Sequence, residues 1–323
     1  MPAGIGNPHA PWRPVLVLRS GMELPLADVP AAAIAQPLPH LLAAAGPLAE
    51  LPAALELLEP AVRPLAVAAG ARCRVASMQL LGPPLLRPRA SLALPFRRAG
   101  DVERVVAMLA AERCGRGVEL VLVALGDTGL AAAEAALVAG RHARSIRLVL
   151  AHGDVTAATV PDLAFAATES PLLVTLGAGV APRVRGWLDG LLAAVEPRAA
   201  AGQHAELALA GLPLAGETGP LPSLGVAAAM RRASVLEAGG LPAGWLDPEH
   251  RDADLTLQLL AAGYRARMLS GPFCVRFGER EPQWPPAAAR LAAALDTRRL
   301  ATRAASHRRA TSIDSTHRLA IAI

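Results

Sequence analysis

The sequence predicts an α/β fold built on a mostly parallel sheet flanked by helices, preceded by a small N-terminal unit. Three observations carry this. Short apolar runs at 90–94, 118–125, 146–151 and 172–176 recur between segments of helical composition. Within those runs apolar residues are consecutive rather than alternating, as in strands buried on both faces. The chain has 323 residues, 53% hydrophobic and 18% charged, enough for a large core and too apolar for a wholly disordered chain.

The elements follow in order. Residues 14–18 read as a short strand, and 39–62 as Leu/Ala-rich helix punctuated by Pro47, Pro52 and Pro60. Pro83, Pro84 and Pro88 mark a linker, so 1–88 is expected to be a small helical or mixed unit. The first buried strand, 90–94, ends at Pro95, and Asp101 is expected to cap a helix to about Glu112. Strand 118–125 stops at Gly126-Asp-Thr-Gly129, and a helix runs on to Ala139. Strand 146–151, helical 162–167 and strand 172–176 follow; Gly177 to Pro182 then turns into a helix over 187–195. Beyond, 223–230 is small and apolar and precedes Arg231-Arg232, with a short helix at 233–238 ended by Gly239-Gly240. A helix over 252–262 ended by Gly263 and a strand over 264–269 complete the domain, expected to span 89–285. Arginine and histidine dominate 290–318, so 286–323 reads as a flexible basic tail.

Composition excludes several chemistries. All 32 basic residues are Arg, so a Schiff-base lysine, a lysine general base and a P-loop lysine are absent. Net charge is +5, but aromatics are only 3% of the chain, a poor stacking platform for single-stranded nucleic acid. Arg298, Arg299, Arg303, Arg308 and Arg309 suit phosphate or anionic lipid head groups better than base reading. Cys73, Cys114 and Cys274 show no paired spacing, which argues against a disulfide framework or a cysteine zinc site and for a reducing cytoplasm. Residues 1–12 do not read as a signal peptide, and 29–48 is broken by four prolines, so no membrane span is expected.

Parallel sheets bind ligands at the carboxyl ends of their strands, which directs attention to 96–98, 124–128 and 177–179. Gly177-Ala-Gly179 resembles the start of a dinucleotide-binding turn, but Pro182 occupies the third glycine position. Ser223 in Leu-Pro-Ser-Leu-Gly lacks the first glycine of a nucleophile elbow. Asp252 and Asp254 admit two roles: capping a helix start, or supplying a carboxylate base at the crevice.

Taken in order, 90–281 resembles glycosyltransferase family 2, inverting enzymes of the GT-A fold. Leu-Ala-Leu-Pro-Phe-Arg at 92–97 is similar to that family's opening strand, and Glu-Leu-Val-Leu-Val-Ala-Leu-Gly-Asp-Thr-Gly at 119–129 to its second. Residues 170–182 with Gly186-Trp-Leu188 resemble the metal-site strand and the helix behind it. Met230-Arg-Arg with Glu237-Ala-Gly-Gly240 resembles the acceptor segment, and Arg251-Asp-Ala-Asp-Leu255 through Ala262-Gly-Tyr264 the catalytic helix.

The resemblance implies a nucleotide-sugar donor, a glycan acceptor and a role in bacterial surface polysaccharide assembly, in the cytoplasm or peripherally at the inner membrane beside glycan-assembly proteins. It implies Asp252 as general base, donor contacts from Pro95, Phe96, Arg97, Gly126, Thr128 and Gly179, and acceptor contacts from Arg231, Arg232 and Asp254. The Mn2+ or Mg2+ expected for the family finds Gly179 at its ligand position, without a carboxylate. Ala124 and Leu125 replace the nucleotide-contacting acids, and Arg251 the first acid of the catalytic helix. Two accounts follow: a divergent transferase in which Arg251, Arg276 or Arg97 clamps the diphosphate, or a non-catalytic binder or scaffold for active transferases.

Overall fold

The computed structural model describes residues 15–17, 23–25, 37–97, 99–110, 112, 117–142, 144–153, 155–197, 206–216, 221–277 and 285–311. The N-terminal part contributes an antiparallel pair, β1 (Val15–Val17) with β2 (Glu23–Pro25), then helices α1 (Pro37–Ala45) and α2 (Pro52–Arg72), and strand β3 (Arg74–Leu81). Next come β4 (Ala90–Phe96), α3 (Ala99–Leu109), β5 (Val118–Ala124), α4 (Thr128–His142), β6 (Ile146–His152), α5 (Val160–Ala167) and β7 (Leu172–Leu176). The remainder is β8 (Val180–Pro182), α6 (Trp187–Val195), β9 (Leu207–Gly211), β10 (Ala227–Arg231), α7 (Arg232–Glu237), α8 (Pro248–Ala261), β11 (Arg265–Met268), β12 (Cys274–Arg276) and α9 (Pro286–Thr311).

Eight strands form the main sheet in the order β11-β9-β10-β7-β4-β5-β6-β3. Its centre, β7-β4-β5-β6, is parallel throughout, while β10 and β3 run antiparallel to their neighbours. This is the α/β class and mostly parallel sheet that the apolar runs predict. All seven residues of β5 are buried, and they divide by the strand's two-residue period. Leu120, Leu122 and Ala124 pack with α3, α4 and α6 through Val102, Ala135 and Leu191. Val121 and Val123 pack with α5 and α8 through Leu163, Leu255 and Leu259. Each such Leu or Val stabilises the fold by roughly 1.5–3 kcal/mol, so both layers are secured by the same strand.

Several expected boundaries differ. The division at 88/89 falls between β3 and β4, two strands of one sheet. Helix α3 begins at Ala99, before Asp101, and the Ala99 N–H donates to the Glu134 carboxylate at 2.9 Å. Helix α8 begins at Pro248, four residues before the expected start, because Asp247 accepts the Glu249 N–H and Pro248 supplies a preset first turn. Prolines 60 and 64 lie inside α2 without ending it; both are exposed, opposite buried Leu58, Val62 and Ala66, so the carbonyls they leave without an N–H face water.

The expected flexible tail is ordered helix to Thr311. Leu291 and Leu295 of α9 pack with Leu42 of α1 and Leu58 and Val62 of α2. Its arginines serve the fold: Arg298 pairs with Glu56 at 2.6 Å, Arg299 lies 4.4 Å from the Trp245 ring centroid, and Arg303 pairs with Asp254 at 2.7 Å. The Arg308 and Arg309 side chains, and residues 1–12 and 312–323, lie outside the described residues. Among the described residues no helix is long and apolar enough to cross a membrane.

Candidate functional site: the carboxyl rim of the sheet

The segments at 95–97, 124–128 and 177–179, with the start of the 226–241 segment, meet at the carboxyl ends of the parallel strands. The β4 and β5 tips are tied by the Leu125 N–H donating to the Phe96 carbonyl at 2.8 Å. The β7 tip is tied to the segment before β10 by the Gly177 N–H donating to the Val226 carbonyl at 2.8 Å. The chain then turns through Ala178 and Gly179 into β8, which pairs with β12 in an antiparallel ribbon that sets Val180 opposite Arg276.

Both glycines of this turn are required by packing. A Cβ on Gly177 would stand 2.0 Å from the Gly225 carbonyl oxygen, and one on Gly179 2.6 Å from that of Phe277. Gly179 also has φ +65°, and its carbonyl accepts the Phe277 N–H at 2.7 Å. Neither position can carry a carboxylate without moving backbone. Among the described residues no three His, Cys, Asp or Glu side chains cluster to hold a metal ion. A divalent cation needs oxygen ligands, ideally charged, and this turn has no side chain to provide them. The residues present do not fit the metal that the resemblance implies.

Asp252 stands in the second turn of α8 and is only 3% exposed. Its Oδ2 accepts the Leu224 N–H at 2.8 Å and the Ser223 hydroxyl at 3.2 Å. Its Oδ1 accepts from Nε and Nη2 of Arg251 at 3.3 and 3.2 Å. Burial pushes this carboxyl above its ordinary value, against the opposing pull of Arg251, Leu224 and Ser223. Arg251, 7% exposed, is itself held from its far side by Asp162 and the Ala158 carbonyl, each at 2.8 Å. Asp252 thus fastens the 223–225 loop, whose Gly225 carbonyl packs on Gly177, and Arg251 is committed to two carboxylates rather than available as a clamp.

The other expected site residues divide. Pro95, Arg97, Gly126, Thr128 and Gly179 lie at the rim, but Phe96 is wholly buried in the core and offers no face to a nucleotide. Gly126, with φ +93°, lets the chain turn into α4, whose free Gly129 and Leu130 N–H groups donate to Asp127 Oδ1 at 2.8 and 3.0 Å. Arg231 and Arg232 are not at the carboxyl rim. Because β10 is antiparallel to β7, Arg231 pairs with Leu172 at the opposite end of the sheet. There it is bound to Glu206 and the Val195 carbonyl, while Arg232 stacks 4.3 Å from the Phe165 ring centroid. Asp254 faces α9, accepting from Arg303, Trp245 and Gln258, and is not on the acceptor side.

Two residues that shape the rim were not legible as such. Asp162, the acid of the first turn of α5, meets Arg251 across 89 positions. Glu112, expected as a helix end, accepts the N–H groups of Gly186, Leu188 and Asp189 and so caps α6, the helix of the Gly-Trp-Leu motif. Its only sequence signal is an acid after an amphipathic segment.

The architecture is an open α/β sheet with a parallel four-stranded centre. No protein-family model matches the chain, and no curated protein matches it. Among solved structures, it is similar to a mannosyltransferase from Pyrobaculum calidifontis in complex with GDP-Man and Mn2+, at 17% identity and a TM-score of 0.46 over 84% of this chain and 88% of that one. It is also similar to glucosyl-3-phosphoglycerate synthase from Mycobacterium tuberculosis, at 14% identity and a TM-score of 0.44 over 65% and 79%.

Proposed function

We propose that this chain is a glycosyltransferase-family-2-like protein that retains a nucleotide-sugar crevice and has lost sugar transfer, serving as a binding partner beside active transferases in glycan assembly. The resemblance of its ordered motifs supports the family reading, and the meeting of the 95–97, 124–128 and 177–179 segments at one rim supports a shared ligand site there. The observation that carries the loss of transfer is the state of Asp252. An inverting transfer needs a carboxylate with a lone pair directed at the acceptor hydroxyl. Asp252 spends its two oxygens on four donor groups of its own chain and is almost fully buried. A divalent cation would stabilise the departing diphosphate, but the Gly177-Ala-Gly179 turn does not fit one.

The test is a paired measurement on the full chain. Calorimetry with UDP-glucose and GDP-mannose should show binding of at least one, while nucleotide release stays at the protein-free rate with or without Mn2+. Turnover that Asp252→Asn abolishes would refute the reading.

A further inference from the structure

The main sheet ends in two edges, and the chain guards only one of them. At one edge stands β11, four residues long, with Arg265 and Arg267 exposed along it. Shortness and outward charge are common means by which an edge strand avoids a further neighbour. At the other edge stands β3, eight residues long and, among the described residues, paired only with β6. From Val75 to Leu81 it carries no charge and no proline, and Met78 and Leu80 are 48% and 63% exposed. The cation opposite Leu80, Arg147, is neutralised by Glu119 at 3.1 Å. A long, uncharged, apolar edge presents a row of backbone N–H and C=O groups that templates a further strand.

The register of this edge shows what fits it. The one irregularity in the β3–β6 ladder lies between Val75 and Ser77, so 77–81 is a regular stretch. Met78 pairs with Val149, a member of the α5 layer of the core, and Leu80 with Arg147, whose Nη1 lies 3.9 Å from Met78 Sδ. Met78 and Leu80 therefore share the α5 face, and Gln79 points to the other. Gly82 then turns the chain inward: its φ is +73°, and a Cβ there would stand 2.0 Å from the Arg144 carbonyl oxygen, just before β6. The segment after it leaves 77–80 exposed. Two identical antiparallel strands in one sheet are related by a two-fold axis, and directly opposite residues point to the same face. Such a pair must be centred on one residue facing its own copy. Centring on Gln79 sets Met78 opposite Leu80 of the partner subunit, with Cβ atoms about 4.5–5.5 Å apart. The symmetry repeats that apolar pair on the other side of the axis.

We propose that two copies of this chain associate edge to edge through β3, antiparallel about Gln79, into one continuous sheet. A second copy fits this strand on three counts: the backbone groups of each edge satisfy the other's, the uncharged stretch meets no like charge, and the exposed Met78 and Leu80 cover one another. A lipid surface would bury the same side chains but leave the backbone groups of β3 without partners. Because β3 runs against β6, and its copy against β3, the carboxyl rims of the two copies face opposite ends of the joined sheet. The pairing uses the unguarded edge of each copy, so association closes at two. The inference stands apart from the nucleotide-crevice reading and does not depend on it.

The experiment is sedimentation equilibrium of the full chain from about 1 to 100 µM. The expected result is a monomer–dimer equilibrium. Leu80→Lys, which sets a charge in the junction at an exposed position, should raise the dimer Kd about tenfold or more without altering the circular dichroism spectrum. Gln79→Cys, oxidised with copper–phenanthroline, should give a disulfide-linked dimer that the parent chain treated alike does not. A chain that stays monomeric over the whole range overturns the proposal. A dimer that Leu80→Lys leaves unchanged places the contact on another face and overturns it too. Weakening by Leu80→Lys without a cross-link in Gln79→Cys overturns the register about Gln79. Assemblies that grow beyond two overturn the closed pairing. A monomer that sediments with phosphatidylglycerol vesicles overturns the second copy in favour of lipid as the occupant. If Leu80→Lys does not fold, the cross-link of Gln79→Cys decides: its absence counts against the edge.

Discussion

Asp252 separates a structural latch from a catalytic base, and stability measurements distinguish the two. In Asp252→Ala the Leu224 N–H, bound at 2.8 Å in a buried loop, loses its acceptor, the Ser223 hydroxyl loses one partner, and Arg251 keeps only Asp162 and the Ala158 carbonyl. A stranded buried donor costs about 1–3 kcal/mol, and breaking a buried ion pair about 3–5 kcal/mol. These contributions share one network and do not add in full, so the expected loss is about 3–5 kcal/mol. With a urea slope of about 3 kcal/mol/M, the unfolding midpoint should fall by about 1 M or more. Asp252→Asn sharpens the test. All four contacts to Asp252 are donors, so the new amide NH2 must face either Arg251 or Leu224, donor against donor. A latch predicts that Asn is also strongly destabilising, whereas a base without structural duty predicts a near-neutral Asn. An unchanged urea midpoint in Asp252→Asn would refute the reasoning.

Placing at position 251 the acid that the resemblance leads one to expect, through Arg251→Glu, should lower stability by about 3 kcal/mol or more, since it leaves Asp162, Asp252 and the new Glu together without their cation; urea unfolding reads it. Gly177→Ala should cost about 1–3 kcal/mol or more through the 2.0 Å approach of its Cβ to the Gly225 carbonyl. Gly140→Ala, in the interior of α4 with nothing within 4 Å of the new Cβ, should gain about 0.5–1 kcal/mol; thermal melts of the two should move in opposite directions. His250 should give a pH signature. Burial pulls its imidazole down, but Asp247, Asp296 and Glu249 outweigh that and hold it above its ordinary 6.5. A raised folded value means that its stabilisation is complete below pH 6.5 and is lost as pH rises through the folded value. His250→Gln should flatten that decline in the urea midpoint above pH 6.5; an identical slope in the variant would count against it.

The strands of the parallel centre were readable because burial on both faces leaves continuous apolar runs, as in β5. Strand β3 was not: Arg-Val-Ala-Ser-Met-Gln-Leu-Leu sits at the sheet edge, mostly exposed, and its composition lacks both a continuous run and a clean alternation. Helix α9 reads as a flexible basic tail because half of its buried stripe is alanine, Ala288 and Ala292 beside Leu291 and Leu295, and its arginines find partners far off in the chain, Arg298 at Glu56 and Arg303 at Asp254. The site was legible in order but not in direction. Asp252 and Asp254, two apart, lie on different sides of a 3.6-residue helix, one toward the 223–225 loop and the other toward α9. Arg231 and Arg232 follow a strand that runs against its neighbour, and that reversal carries them to the far end of the sheet.

The central claim is a crevice that holds a nucleotide sugar without transferring it, and phosphorus NMR of one sample reads both halves. The full chain is mixed in turn with UDP-glucose and with GDP-mannose in EDTA, and the diphosphate resonances are followed for a day before and after addition of Mg2+. The account predicts that the signals of one sugar nucleotide shift or broaden with added protein, and that no free UDP or GDP accumulates beyond the protein-free control. Steady appearance of nucleoside diphosphate once Mg2+ is present would contradict it.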